Sequence, residues 1–433
     1  MPRTTPDAVV IGAGHNGLVA ANVLADAGWS VIVHEAEDEP GGAVRSGELI
    51  EPGFVHDRFS SFYPLGAASR VFRQLGLAIP WRHGPLVLAH PALDGSVAVL
   101  SRDVAATTMG PDWPALVRSW ERIEPAVLRG MTTPFPQMGA AAMIALEPAA
   151  GRLLLPPSDP LARRLLTGNA LHTDIRPTSV VGRAFGTLLT AFGQRYGYPC
   201  VAGGSGRIVG LLLERARARG VELRLGERID RIPTARHAVV AAVDVWELAR
   251  LTRGTARTEP DPGVVKLDWT LDGPVPWTVE AARHAPVVHL GDEQFFVLFG
   301  HYSMADPDRA PPGKETAWAY SRAPVEAADV EAQIERHAPG FLALVRGRRV
   351  EQLPPGRVNL GTAKAKNELV FRGRFGRPET GIPGVYLASA SAHPGGGVHG
   401  GPGWIAAQAA LRAASRRRAR GLASFTISSS NTT

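Results

Sequence analysis

The sequence predicts an α/β protein in which a parallel-sheet domain is interleaved with an α+β domain holding an antiparallel sheet. Three observations carry this. An apolar strand, a glycine turn, a helix and a second apolar strand follow one another within residues 7–35. Strand–helix character returns at 196–250 and again at 376–422. Between those returns, Val264–Tyr320 alternates in the two-residue rhythm of antiparallel strands. The expected partition is 1–70, 196–250 and 376–422 for the first domain and 71–195 and 251–375 for the second. A Ser/Thr-rich tail, 423–433, is expected to be disordered.

Taken in order, Asp7–Gly12 reads as a buried strand, Gly17–Gly28 as a helix and Trp29–Glu35 as the next strand. From Val71 to Thr190 the chain reads as mostly helical, with prolines between short pieces. Ile208–Arg219 is a helix ended by Gly220, and the apolar pieces Val221–Leu225 and Ala238–Val243 are strands. Four alternating runs, VVKLDWTL, APVVHLG, EQFFVLFG and TAWAYS, form the antiparallel sheet. Val325–His337 is a helix, Gly384–Ala388 a strand, and Gly403–Arg420 the last helix.

With 433 residues, 45% hydrophobic and 20% charged, the chain suits two cores and excludes a disordered class. Its one cysteine, Cys200, excludes a disulfide framework, a paired-cysteine redox centre and a cysteine zinc site. Redox chemistry must then come from a bound cofactor, and no metal is expected. The lone thiol fits a reducing cytoplasm. Part of the +7 charge sits in Arg412, Arg416–Arg418 and Arg420 at a helix end. There cations complement the helix dipole or meet anionic lipid at a membrane periphery; nucleic acid is not an expected partner. No signal peptide or membrane span is read: the apolar stretch Gly139–Leu155 is broken by Glu147 and Pro148.

The strongest motif is Gly12-Ala13-Gly14-His15-Asn16-Gly17 between strand and helix. The first glycine makes the tight turn, the second lets backbone approach a pyrophosphate, and the third lets helix pack on strand. The helix N-terminus adds free N–H groups for the phosphates. Glu35, 18 residues beyond Gly17, ends the second strand where a ribose hydroxyl is expected. Pro40-Gly41-Gly42-Ala43-Val44-Arg45-Ser46 follows. It resembles the second fingerprint of glutathione-reductase-like FAD proteins, so FAD is the expected cofactor and a Rossmann-type FAD domain the expected fold. A third glycine-rich run, His393–Trp404, lies between strand and helix, where backbone amides stand unobstructed.

Over nearly its whole length the chain resembles the phytoene-desaturase-related flavoproteins, in the pyridine-nucleotide-disulfide-oxidoreductase-domain branch. The carriers are DAVVIGAGHNGLVAANVLADAGW, PGGAVRSGELIEPGFVHDRFSSFYPL, LLTGNALHTD, GGSGRIVGLLLERARARGVELRLGERIDRI, WAYSRAP and GVYLASASAHPGGGVHGGPGW. The resemblance implies FAD contacts near Arg228-Ile229 and along Ser389–Trp404. The expected FAD contacts are thus Gly12, Ala13, Gly14, Asn16, Gly17, Glu35, Ala36, Gly41, Gly42, Ala43, Arg45, Arg228, Ile229, Ser391, Gly397, Val398, His399 and Trp404. The chain departs from relatives in a shortened stretch after Ile232, in Ser389-Ala390-Ser391, and in a compressed Arg346–Phe375. Gly203-Gly204-Ser205-Gly206 imitates a second nucleotide site, but the strand after it lacks the supporting pattern.

The expected activity is FAD-dependent hydride transfer between a small, largely apolar substrate and flavin N5, at C–C or C–N bonds. Candidate acid/base groups are His399, His172 and Asp57, with His56 beside them, each set against a purely structural role. Alternatives are a non-redox isomerase or cyclase that uses FAD, and a flavin-binding protein without catalysis.

Overall fold

The computed structural model describes residues 5–59, 61–134, 157–172, 176–255, 263–322, 324–354, 377–421 and 427. The chain opens with β1 (Ala8–Ile11), α1 (His15–Asp26), β2 (Val31–His34), the hairpin β3 (Ser46–Gly47) and β4 (His56–Asp57), and α2 (Pro64–Ala67). Then come β5 (Leu88–Pro91), β6 (Val97–Leu100) and three helices, α3 (Trp113–Gly130), α4 (Pro160–Leu171) and α5 (Val180–Tyr196). α6 (Gly206–Arg217), β7 (Glu222–Arg224) and β8 (Ala238–Ala241) return the chain to the first layer. β9 (Val264–Leu271), β10 (Val287–Gly291), β11 (Phe296–His301), β12 (Glu315–Arg322), α7 (Ala327–His337) and β13 (Val345–Leu353) build the second. β14 (Val385–Leu387) and α8 (Gly401–Ala419) close the first.

The first layer is a parallel five-stranded sheet in the order β14-β8-β1-β2-β7. Its strands are short runs of Val, Ile and Ala because both faces are covered. On one side Val10, Val33 and Val240 pack with Leu18 and Leu24 of α1, Leu212 of α6 and Ala406 of α8. Each such Leu or Val contributes about 1.5–3 kcal/mol on burial. On the other side Val9, Ile11 and Val239 meet Leu251 and Ile427. Ile427 is buried and bridges Ala235, so this residue of the tail is ordered, contrary to expectation; the rest of 423–433 lies outside the described residues.

The second layer is a seven-stranded sheet, β13-β9-β12-β11-β10-β5-β6, antiparallel except where β10 meets β5. Alternation splits its side chains. Leu267, Trp269, Phe299 and Ala319 form a core with Ile334 of α7 and Phe341. Lys266, Asp268, Trp318, Tyr320 and Leu298 take the opposite face, towards the first layer.

Two parts of this sheet depart from the sequence reading. β5 and β6 lie in the stretch read as mostly helical, and they are strands because distant β10 gives β5 a partner. β13 (VRGRRVEQL) carries three arginines and reads as polar loop, yet it is an edge strand whose charges face solvent or pair locally.

Candidate functional site

Each glycine of the first turn meets a different environment. Gly12 has φ +97°, and a Cβ there would lie 2.9 Å from the Ala242 carbonyl oxygen. A Cβ on Gly17 would fall 2.0 Å from the Gly12 oxygen, so α1 can start here only with glycine. A Cβ on Gly14 would meet nothing within 4 Å. Gly14 also bridges Gly41, and Gly42 (φ +57°) stacks over the Gly14 Cα at 3.5 Å from its own Cβ position. Two bare backbone strips thus form an open cradle at the α1 N-terminus. Asn16 beside it is buried, and its Oδ1 has no partner among the described residues. An open glycine cradle, a helix N-terminus and an orphan buried polar atom fit a pyrophosphate-bearing dinucleotide.

Glu35 holds its carboxylate against this cradle, accepting from the Ala13 N–H at 2.7 Å and the Glu37 N–H at 3.1 Å. Ala36 is exposed next to it and Ala43 is half-buried beyond the Gly-Gly pair. Arg45 is spent on the turn itself: its guanidinium pairs with Glu37 at 2.6 Å and donates to the Gly42 carbonyl at 2.9 Å. It shapes the cradle. Residues 224–227 run beside Glu35, with Glu35 N–H to Arg224 carbonyl at 2.8 Å and Glu227 N–H to Glu35 carbonyl at 2.8 Å. That contact brings Arg228 and Ile229 to the same edge. The Arg228 side chain turns to Glu247 at 3.3 Å.

The Ser389–Trp404 loop closes the cradle from above. A Cβ on Gly403 would sit 2.0 Å from the Asn16 carbonyl, so α8 begins in direct backbone contact with α1. His15 reaches the Gly397 backbone; burial, outweighing that hydrogen bond, lowers its pKa to about 4. Ser391 is buried, with its N–H on the Ser389 hydroxyl. Val398 and Trp404 pack on the first core. His399 is 3% exposed and does not face solvent. Its Nδ1 accepts from the Gly401 N–H at 3.0 Å, and its carbonyl accepts from Ser69. The ring therefore caps α8.

Asp57, read as an acid/base candidate, is a buried clamp instead. Its side chain is fully buried and pairs with the equally buried Arg309 at 2.9 Å. Its other oxygen accepts from the Ser46 hydroxyl and the Ser205 N–H, both at 2.7 Å. Arg309 also donates to Asp306 and to the Val201 carbonyl. A carboxylate with these partners has no oxygen left for proton exchange with a ligand. The same bonds bear on Gly203–Gly206. The α6 amides a phosphate would need are taken by Asp57 and Ser46, and a Cβ on Gly204 would lie 2.5 Å from the Ser46 side chain. His56 is also internal: it lies between the Phe54 and Trp269 carbonyls, and burial lowers its pKa.

Across from the loop stands an aromatic face the sequence did not reveal. α2 links the two: a Cβ on Gly66 would be 2.9 Å from the Val398 carbonyl, and Phe62 just before it stacks on Tyr302 and Trp318. Trp318 lies parallel to Tyr320, 8° between planes and 6.0 Å between centroids. It lies flat because its register partner is Gly300, where a Cβ would fall 2.5 Å from the indole nitrogen. His172, at the end of α4, bonds the Tyr320 hydroxyl through Nδ1 at 2.5 Å. Lys266 is buried beside Trp318 and contacts Asp268. Alternation in WAYS was the only sequence signal for Trp318 and Tyr320. Their meeting with Phe62 and His172 depends on contacts far apart in the chain.

A family model described as an NAD(P)-binding Rossmann-like domain matches residues 10–75. One of the limonene dehydrogenase polypeptides of Castellaniella defragrans is 34% identical over 119 residues, which are 28% of this chain and 20% of that protein. Pyridine nucleotide-disulfide oxidoreductase domain-containing protein 2 of Mus musculus is 54% identical over 54 residues, 12% of this chain and 9% of that protein. The matches thus span a fifth or less of these relatives' length. Among solved structures, cyclohexylamine oxidase from Brevibacterium oxydans superposes with a TM-score of 0.59 at 17% identity, covering 95% of this chain and 100% of that one. Putrescine oxidase bound to putrescine superposes with a TM-score of 0.59 at 15% identity, covering 95% and 100%. These likenesses establish the fold: a parallel Rossmann-type sheet joined to a mixed, mostly antiparallel sheet, as in the flavin-dependent amine oxidases.

Proposed function

We propose that this chain is an FAD-dependent oxidoreductase that dehydrogenates a small, largely apolar substrate. The observation that carries the reading is the Gly14–Gly42 cradle, which α2 and the 389–404 loop join to the aromatic face of the second sheet. The partial likeness to a limonene dehydrogenase polypeptide supports dehydrogenation of an apolar compound.

Gly12, Gly14, Gly41 and Gly42 would hold the pyrophosphate, Glu35 the adenosine ribose, and the Ser391–His399 loop the isoalloxazine end. Bound FAD supplies a two-electron acceptor. Phe62, Trp318 and Tyr320 hold the substrate by apolar and ring contact and exclude water, which orients the reacting C–H bond. His172, exposed at the edge of this face and bonded to Tyr320, takes up the proton released and passes it to solvent. His399 anchors the loop.

The test is an anaerobic screen of apolar alcohols, ketones, terpenes and amines for loss of the visible flavin absorbance. At least one apolar compound should bleach the protein. Bleaching by dithionite but by no compound contradicts the reading.

A further inference from the structure

On the second sheet, the face towards the dinucleotide cradle has an uneven charge. β9, β12 and β13 place Lys266, Asp268, Tyr320, Trp318, Arg322, Arg349 and Glu351 on it, in adjoining register. The carboxylates are already engaged. Asp268 contacts Lys266 and lies 3.4 Å from Arg349, and Glu351 lies 2.5 Å from Arg349. Asp57, behind them, is closed by Arg309. That leaves three cations, Lys266, Arg322 and Arg349, facing two paired carboxylates, Asp268 and Glu351. An ammonium ion brought here would lose hydration and gain no uncommitted carboxylate.

Within this setting the Tyr320 hydroxyl and the His172 ring form a hydrogen-bonded pair. The ring of Tyr320 is fixed from both sides, by Trp318 stacked parallel to it and by the Arg322 guanidinium 5.5 Å from its centroid. Arg322 also donates to the His172 carbonyl at 3.1 Å, tying the end of α4 to β12. A neutral imidazole presents a donor or an acceptor to the phenol according to its tautomer. The pair can therefore either donate to or accept from an oxygen of a ligand lying flat against Trp318.

We propose that the Tyr320–His172 pair, on this cation-rich aromatic face, binds a carbonyl or hydroxyl oxygen of an uncharged, flat substrate, and that the face rejects protonated amines. This rests on the reading of that face as the substrate side of an oxidoreductase. It narrows the substrate class to neutral oxygenated compounds. Tyr320 is the specificity-determining residue and His172 positions it.

Calorimetric titration of the protein as purified, at neutral pH, tests this with acetophenone, toluene and benzylamine, which is protonated there. Acetophenone should bind at least tenfold tighter than benzylamine. Tyr320→Phe should weaken acetophenone tenfold or more and leave toluene unchanged, and His172→Ala should weaken acetophenone in the same direction. The proposal is overturned if benzylamine matches or exceeds acetophenone, if Tyr320→Phe leaves acetophenone unaffected, or if no probe binds. Because heat of binding needs no flavin turnover, this pattern in a protein that carries no flavin would sink the oxidoreductase reading while leaving the ligand preference standing.

Discussion

The glycine cradle and the aromatic face are built on opposite principles. The cradle is made from two short stretches close in sequence, residues 12–17 and 41–45, and its features are backbone features: absent side chains, positive φ and free amides. The aromatic face is made from residues as far apart as Phe62, His172 and Tyr320, and it works through side chains. A site of the first kind tolerates almost no added atom where backbone touches backbone. A site of the second kind depends on the sheets staying in register with each other, which is the task of the Asp57–Arg309 clamp.

The sharpest division lies within the cradle. Gly17→Ala puts a Cβ 2.0 Å from a backbone oxygen and should cost more than about 4 kcal/mol, enough to lose the folded protein. Gly14→Ala meets nothing in the protein, so its thermal unfolding should match the parent while flavin retention falls. If both variants fold alike and hold flavin alike, the cradle has been misassigned.

The clamp comes next. Arg309→Met leaves the Asp57 carboxylate buried without its cation and should cost about 3–5 kcal/mol in urea unfolding. Asp57→Asn combined with Arg309→Met removes the charge but keeps an acceptor for Ser46 and Ser205, and should cost less than Arg309→Met alone. A double variant no more stable than the single would show that the pair does not couple the layers.

Glu35→Ala should weaken FAD binding by about 1–3 kcal/mol, the cost of unmade hydrogen bonds to a charged group, with the fold retained. Equal affinity, measured by fluorescence on rebinding FAD, would remove Glu35 from the ribose site.

The smallest effect concerns the apolar side of the second sheet. His90 is 2% exposed, and burial, outweighing its hydrogen bond to the Gly291 carbonyl, lowers its pKa to about 4. The unfolded chain then binds the extra proton first. His90 therefore adds stability that is full above about pH 6.5 and is lost as pH falls towards 4, at about 1 kcal/mol for the first unit. In urea unfolding, His90→Leu should flatten that slope; an unchanged slope would assign the acid sensitivity elsewhere.

The contrast between the two regions also explains what could be read in advance. The βαβ unit, the Gly-Gly turn and the 389–404 loop were legible because each needs particular residues in consecutive order. β5, β6 and β13 were not, since proline-flanked or arginine-rich segments become strands only through partners far along the chain. Asp57 and His399 looked reactive by residue type. The fold assigns one to a buried ion pair and the other to a helix cap, and neither fact is visible without Arg309 or Gly401 beside it. Tyr320 was hidden inside a strand signal until His172 met it.

The most direct test of the central claim is the cofactor itself. The protein should purify yellow, or take up added FAD, and after heat release should yield FAD rather than FMN in near-equal amount to the chain. A colourless protein that also fails to bind added FAD, while folded by circular dichroism, would contradict it.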